Sequence, residues 1–115
     1  MDPLSEPSLF LSTLGSSPTL KILDLLLTGR EIDYSKKEMA ESAGISWNTL
    51  ASIWPYFAEK GIIVKTRKIG KQEMYKLNQE NELAILLIRF YDSLMNYVLE
   101  ANGQQKPASL AKVRN

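Results

Sequence analysis

No cysteine and no histidine occur among the 115 residues. The first absence excludes disulfides, thiolate nucleophiles and cysteine-rich zinc sites. The second removes the commonest general base and the commonest metal ligand. An enzyme would have to be built from carboxylates or lysines, and no nucleophile–base pair or phosphate-cradling loop is visible. The sequence is therefore read as non-enzymatic, with no metal and no cofactor. Long apolar runs are missing too: no stretch approaches the ~20 residues a membrane helix requires. The first residues, Met1-Asp2-Pro3-Leu4-Ser5-Glu6, lack the basic start and apolar run of a signal peptide. The expectation is a single-domain cytoplasmic protein that does not associate with membranes.

What is present is ordinary for a globular domain: 44% hydrophobic and 23% charged residues. The net charge of +1 conceals an asymmetry. Residues 35–79 carry eight basic side chains and four acids, so that segment is +4 and the rest of the chain is −3. A basic centre between acidic flanks suits a local polyanion site better than a uniformly adhesive surface.

Periodicity and punctuation divide the chain. Pro7 to Leu14 has the length of two helical turns, and Gly15-Ser16-Ser17 interrupts it. Ser17-Pro18 is a helix start, and Leu20, Ile22, Leu23, Leu26 and Leu27 repeat at helical spacing up to Gly29. Glu31 to Tyr34 alternates like a short edge strand. Ser35-Lys36-Lys37-Glu38 fits a capping box. The helix it opens ends at Gly44, and Ser46 caps a second helix that runs through Trp47, Leu50, Ile53, Trp54 and Phe57 toward Gly61. Two short helices joined by a glycine-containing turn are a helix-turn-helix. Beyond Gly61 the period becomes strand-like: Ile62 to Lys68 leads out, Gly70-Lys71 turns, and Glu73 to Leu77 returns as a hairpin. A long helix then runs from Asn81 to about Ala101, and the tail from Gly103 has little to bury.

Ser35 to Ser46 (SKKEMAESAGIS), Ser46 to Ile63 (SWNTLASIWPYFAEKGII) and Tyr75-Lys76-Leu77 resemble the positioning helix, recognition helix and returning wing strand of small prokaryotic winged helix-turn-helix regulators. The likeness is to the ArsR, MarR and PadR type, especially archaeal members, and it spans roughly residues 18–78. It implies a mainly α fold with a small β-hairpin (α+β), binding of double-stranded DNA, and transcription regulation. Metal sensing through cysteine or histidine, common in the ArsR type, is excluded by composition. No small-molecule effector site is evident. The expected division is an N-terminal arm (1–17), a winged helix-turn-helix domain (18–78), a dimerisation helix (79–102) and a disordered tail (103–115).

Helical geometry nominates the contact residues. At ~100° per residue, Leu50, Ile53, Trp54 and Phe57 share one side of the second helix. Asn48, Ser52 and Pro55 lie opposite, flanked by Thr49, Ala51 and Tyr56. Such a small or polar face can approach base edges in the ~12 Å major groove. Asn48 suits a bidentate contact to adenine, and Ser46, Thr49 and Ser52 suit phosphates or bases. No Arg or Lys lies between Ser46 and Glu59, so A·T-leaning or shape-based recognition is expected. Trp54 belongs to the apolar stripe, whereas Trp47, at its edge, suits either a sugar or thymine methyl or the positioning helix. Pro55 predicts a kink near Ala51.

Simple strand alternation puts Lys65 and Arg67 on one face of the wing, with Lys68 and Lys71 bracketing its turn, placed for phosphates or the minor groove. Lys36 and Lys37 open the positioning helix, where a phosphate is favoured. On the last helix, Leu83, Leu87, Phe90, Leu94 and Val98 form one stripe, and Ile85, Ile88, Tyr91, Met95 and Leu99 a second. Two stripes call for two surfaces, so homodimerisation is expected, with Leu83, Leu87, Phe90, Tyr91, Leu94, Met95 and Val98 at the interface and Leu9, Phe10 and Leu14 adding to it. A low-specificity architectural or DNA-segregation protein, and a winged-helix adaptor for other proteins, are the rival readings.

Overall fold

The first four helices of the domain each begin at a serine cap and end at a glycine. The computed structural model describes residues 8–104; the first seven residues and the part of the expected tail beyond 104 lie outside the described residues. Helix α1 (Leu9–Leu14) and helix α2 (Pro18–Thr28) are capped by Ser8 and Ser17, whose hydroxyls accept from Leu11 N–H and Leu20 N–H. A two-residue strand β1 (Tyr34–Ser35) leads directly into α3 (Lys36–Ala43). The expected capping box is formed: Glu38 N–H donates to Ser35 Oγ at 3.1 Å, and Ser35 N–H donates to Glu38 Oε1 at 2.9 Å. Gly44 ends α3 in the left-handed region at φ 71°, which an L side chain rarely adopts. Helix α4 (Trp47–Lys60) starts on the Ser46 cap and runs through Pro55 as one helix. Ala51 and Pro55 are both exposed, so the carbonyl deprived of its N–H partner by the proline faces water.

Strands β2 (Ile63–Ile69) and β3 (Gln72–Leu77) form the hairpin, and β1 pairs with β3, giving an antiparallel sheet of order β1-β3-β2. The edge strand expected over Glu31 to Tyr34 instead begins at Tyr34. Ile32 N–H turns back to Gly29 O at 2.9 Å, and the Asp33 side chain engages the hairpin, so both are unavailable for pairing. Helix α5 (Glu82–Gln104) extends past the expected boundary and includes Gly103. Asn81 fastens its start to the end of α4, accepting from Ala84 N–H at 2.9 Å and donating to Lys60 O at 2.9 Å.

The core gathers one face from every helix. Ile22, Leu26 and Leu27 of α2 are wholly buried, with Met39, Leu50, Phe57, Leu77 and Ala84 closing around them and Phe10 capping one end. At ~25 cal/mol per Å² of apolar surface, such side chains each stabilise the fold by roughly 1.5–3 kcal/mol.

Helix α5 meets this core differently from the expected stripes. Ala84 is fully buried, and Leu87, Ile88, Tyr91 and Leu94 pack against the core. The small Ala84 lets the helix approach closely, and the packed stripe lies roughly 60° around the helix from the Leu83–Leu87–Phe90–Leu94–Val98 line. Leu87, Tyr91 and Leu94 are thus committed inside the monomer, contrary to their expected place at a dimer interface. Tyr91 also shares a 2.7 Å hydrogen bond with Thr28. Phe10 is committed too: it is 1% exposed and packs its ring on Phe90 and Tyr91, at centroid distances of 6.3 and 5.7 Å. Leu83, Leu86, Phe90, Met95, Tyr97 and Leu99 remain exposed. Leu83, Leu86, Phe90 and Tyr97 fall within about 60° of one another on the helix, forming a continuous apolar line.

Candidate nucleic-acid interface

The surface beside the hairpin is cationic. The cap at Ser35 fixes the first turn of α3 so that Lys36 and Lys37 project toward the hairpin. Lys36 Nζ stands 4.6 Å from the Trp54 ring centroid and 5.9 Å from that of Tyr75, while Trp54 and Tyr75 meet edge to face at 4.9 Å. A cation placed over ring faces is attracted to them electrostatically, which restrains the side chain. Across from it, Lys68 and Lys71 come from the hairpin tip. Together with Trp47, at the start of α4, these four lysines line an open concavity of about 310 Å³ whose remaining walls are Ser35, Gln72, Glu73 and Tyr75. Trp47 is 55% exposed and lines this space beside Lys36 and Lys37 of α3.

The exposed face of α4 continues from the concavity. Asn48, Ser52, Pro55 and Tyr56 are exposed there, as the helical wheel requires. Three hydroxyls nominated for contact already have partners. Ser46 Oγ accepts from Thr49 N–H at 3.1 Å and donates to Thr49 Oγ1 at 2.9 Å, and Ser52 Oγ donates to Thr49 O at 2.7 Å. Among the described residues the Asn48 amide makes no hydrogen bond, so both its donors and its acceptor point to solvent ready for use.

The wing does not alternate simply. Lys65 pairs opposite Tyr75, but Arg67 pairs opposite Met74, because a register irregularity lies between Lys65 and Arg67. An extra residue in one strand moves every later side chain to the other face. Lys65 and Lys68 therefore share the Tyr75 face, while Arg67 turns away from the concavity. There Arg67 Nε and Nη2 donate to Asp33 at 2.9 and 3.2 Å, and Thr66 Oγ1 donates to the same carboxylate at 2.6 Å. The Arg67 guanidinium, with help from the Thr66 hydroxyl, holds the Asp33 carboxyl at about 2, below its ordinary 3.8. The expectation that Lys65 and Arg67 present one surface is corrected: the bulge separates them, and nothing in the residue types of this segment announces it. Lys65 is itself engaged, 3.2 Å from Glu73 Oε2. Lys76, on the Arg67 side, lies 3.7 Å from Glu31.

The arrangement offers charge, an aromatic edge and an amide to a ligand. Among the described residues no three metal-ligating side chains come together, and no helix is long and apolar enough to cross a membrane.

No protein-family model and no curated protein matches the chain. Solved structures do. The homodimeric winged helix-turn-helix DNA-binding domain of a possible ArsR-family transcriptional regulator from Mycobacterium bovis matches with a TM-score of 0.52 and 21% identity, over 80% of each chain. The fold is the winged helix-turn-helix. Staphylococcus aureus MepR in its complex with DNA matches with a TM-score of 0.55 at 14% identity, over 90% of this chain and 82% of MepR. A mutant of Lactococcus lactis ZitR in apo form matches with 0.56 at 13% identity, over 90% and 83%. In winged-helix terms α3 is the positioning helix, α4 the recognition helix and β2–β3 the wing. The expected fold is thereby established. The structure brings Lys36, Lys37, Trp47, Lys68 and Lys71, each nominated from the sequence for DNA contact, to one concavity, whose further walls Tyr75, Gln72 and Glu73 the sequence reading missed. The alternation of β3 was the available signal, since Glu73 and Tyr75 share the face of buried Leu77.

Proposed function

We propose that this winged-helix protein binds double-stranded DNA as a homodimer and regulates transcription. The observation that carries the proposal is the convergence of Lys36, Lys37, Lys68 and Lys71 on one concavity beside the exposed face of α4. Four cations drawn from parts of the chain far apart in sequence suit a polyanionic backbone better than a small uncharged ligand. In this reading Asn48 reads a base edge, with Trp47, Ser52 and Tyr56 against sugars or thymine methyls. Ser46 and Thr49 act by holding the first turn of α4, since their hydroxyls are paired with each other. Lys65 and Arg67 sit on the wing with partners of their own and join the phosphate contacts only if those partners release them.

The exposed line Leu83, Leu86, Phe90 and Tyr97 supports pairing with a second copy, whereas Met95 and Val98 fall on the side of the helix that carries Ala84 and Tyr91. A two-fold dimer would present two recognition helices to half-sites about one helical turn, ~34 Å, apart. The neighbour from Mycobacterium bovis is a homodimer and MepR was captured on DNA, which favours this reading over an adaptor without a DNA role.

The test is selection from a random-sequence duplex pool across a salt series. Enrichment of a two-fold symmetric motif, with affinity falling steeply in salt, is the expected result. Salt-sensitive binding without a motif would replace regulation by an architectural role, and absence of binding at low salt would end the DNA reading.

A further inference from the structure

One side chain in the concavity has the wrong sign for a phosphate site. Glu73 lies on its wall among Lys36, Lys37, Lys68 and Lys71. The sheet register explains its position: Glu73 is directly opposite Lys68 and two residues from Tyr75, which is opposite Lys65, so all four project from one face. Its carboxylate is held there by two donors. Tyr75 OH donates to Oε1 at 2.9 Å, and Lys65 Nζ stands 3.2 Å from Oε2. The Tyr75 hydroxyl first, then the Lys65 ammonium, keep the carboxyl below its ordinary range, so it carries a negative charge at neutral pH. Glu73 remains partly open to solvent, with its side chain 44% exposed, and no core contact requires its charge.

We propose that Glu73 is a specificity-determining residue, a built-in competitor for the DNA phosphate that weakens binding wherever the backbone passes directly over the concavity. The proposal rests on the DNA-binding reading above. Two effects combine. The carboxylate repels a phosphate entering the space, and it occupies Lys65, which would otherwise add one more phosphate contact. Non-specific complexes depend almost wholly on phosphate contacts and lose most from such a charge. Complexes in which α4 engages base edges have a fixed register, and that register can carry the backbone past Glu73 to Lys68 and Lys71 on the wing tip. Glu73 thus widens the gap between specific and non-specific binding by penalising the non-specific side.

The experiment uses the full chain and its Glu73→Gln variant, which keeps the shape and an acceptor for Tyr75. Binding of a random-sequence duplex and of the sequence best retained by the wild type is measured over a salt series, with a thermal melt to verify the fold. The variant should bind the random duplex roughly tenfold more tightly at low salt and gain less on the preferred sequence. Its salt slope on the random duplex should steepen by about 0.9, the release of one further counterion. Adding Lys65→Gln to Glu73→Gln should return the slope to the wild-type value while part of the affinity gain persists, which a merely structural role for Glu73 would not produce. Unchanged or weaker binding of a folded Glu73→Gln variant, with wild type binding normally, overturns this proposal alone. If the wild type itself fails to bind any duplex at low salt, the DNA reading fails and this proposal fails with it.

Discussion

The two ends of this domain address the same difficulty, an unsatisfied surface, in opposite ways. At the wing end, charge is concentrated and partly cancelled from within, Lys65 by Glu73 and Arg67 by Asp33, while Lys36 is held over two aromatic rings. At the α5 end, apolar side chains line one exposed face, with the Arg30–Asp92 pair at 2.9 Å placed beside the packed side rather than on that line. Polar groups can be tuned by neighbours in the same chain, because hydrogen bonds and ion pairs form at short range. An exposed apolar line has no such internal remedy, and only another apolar surface satisfies it. The wing end is therefore graded and the α5 end closer to all-or-none.

The sharpest way to break that comparison is to put charge on the apolar line. Leu86→Glu combined with Tyr97→Glu should leave the monomer fold intact, since both side chains are more than half exposed. Sedimentation should show a shift from dimer to monomer, and DNA affinity should fall by about a hundredfold or more as bivalent engagement is lost. A dimer that survives would place the interface elsewhere.

Next in size is the wing. Lys68→Gln with Lys71→Gln removes two cations that have no ion pair among the described residues, and should weaken DNA binding roughly tenfold while making the salt slope shallower by about 1.8. Lys76→Gln is the matching control: Lys76 lies on the other face near Glu31 and should leave the slope unchanged. Equal effects from both changes would mean that net charge, not the concavity, governs affinity.

A smaller effect belongs to the joint that supports the concavity. Ser35 is 3% exposed and completes the capping box that begins α3. Ser35→Ala should destabilise the fold by about 1 kcal/mol, lowering the melting temperature by roughly 4–8 °C for a domain of this size. A change of melting temperature within error would show that Glu38 alone secures the helix start.

Much of this architecture was readable before any coordinate, because it rests on local rules. The Ser17, Ser35 and Ser46 caps, the Gly44 and Gly61 stops and the change of period after Gly61 each act within about four residues. Features governed by tertiary approach were not readable in the same way. The burial of Ala84, which rotates the packed stripe of α5, depends on how closely that helix can approach α2. The bulge that separates Lys65 from Arg67 turns Arg67 to Asp33, more than thirty residues earlier. In the candidate interface the sequence singled out the lysines of α3 and the wing tip, and the structure brings these four to one concavity. The sequence could not foresee that two further wing cations would be occupied, one of them on the opposite face.

Asp33 provides the finest test of that last point. Its ordinary pKa of 3.8 is lowered to about 2 in the folded chain, chiefly by the Arg67 guanidinium and then by the Thr66 hydroxyl. A carboxyl whose folded pKa is depressed stabilises the fold above its unfolded pKa and loses that contribution as pH falls through the folded value. The stabilising effect should thus be complete above about pH 4 and fade toward pH 2. Because the pair lies at the surface with Arg67 62% exposed, the difference between wild type and Asp33→Asn should be small, and it should shrink further in high salt. Thermal melts of both proteins across that window should converge at the acid end. In an Arg67→Gln background the Asp33→Asn change should have a weaker dependence on pH, since the chief cause of the depressed pKa is then gone. Curves that stay parallel down to pH 2 would instead assign the role of Asp33 to the geometry of its hydrogen bonds. The bulge would then be held by shape, and the two faces of the wing would differ in kind: charge would govern the Glu73 side and backbone conformation the Asp33 side.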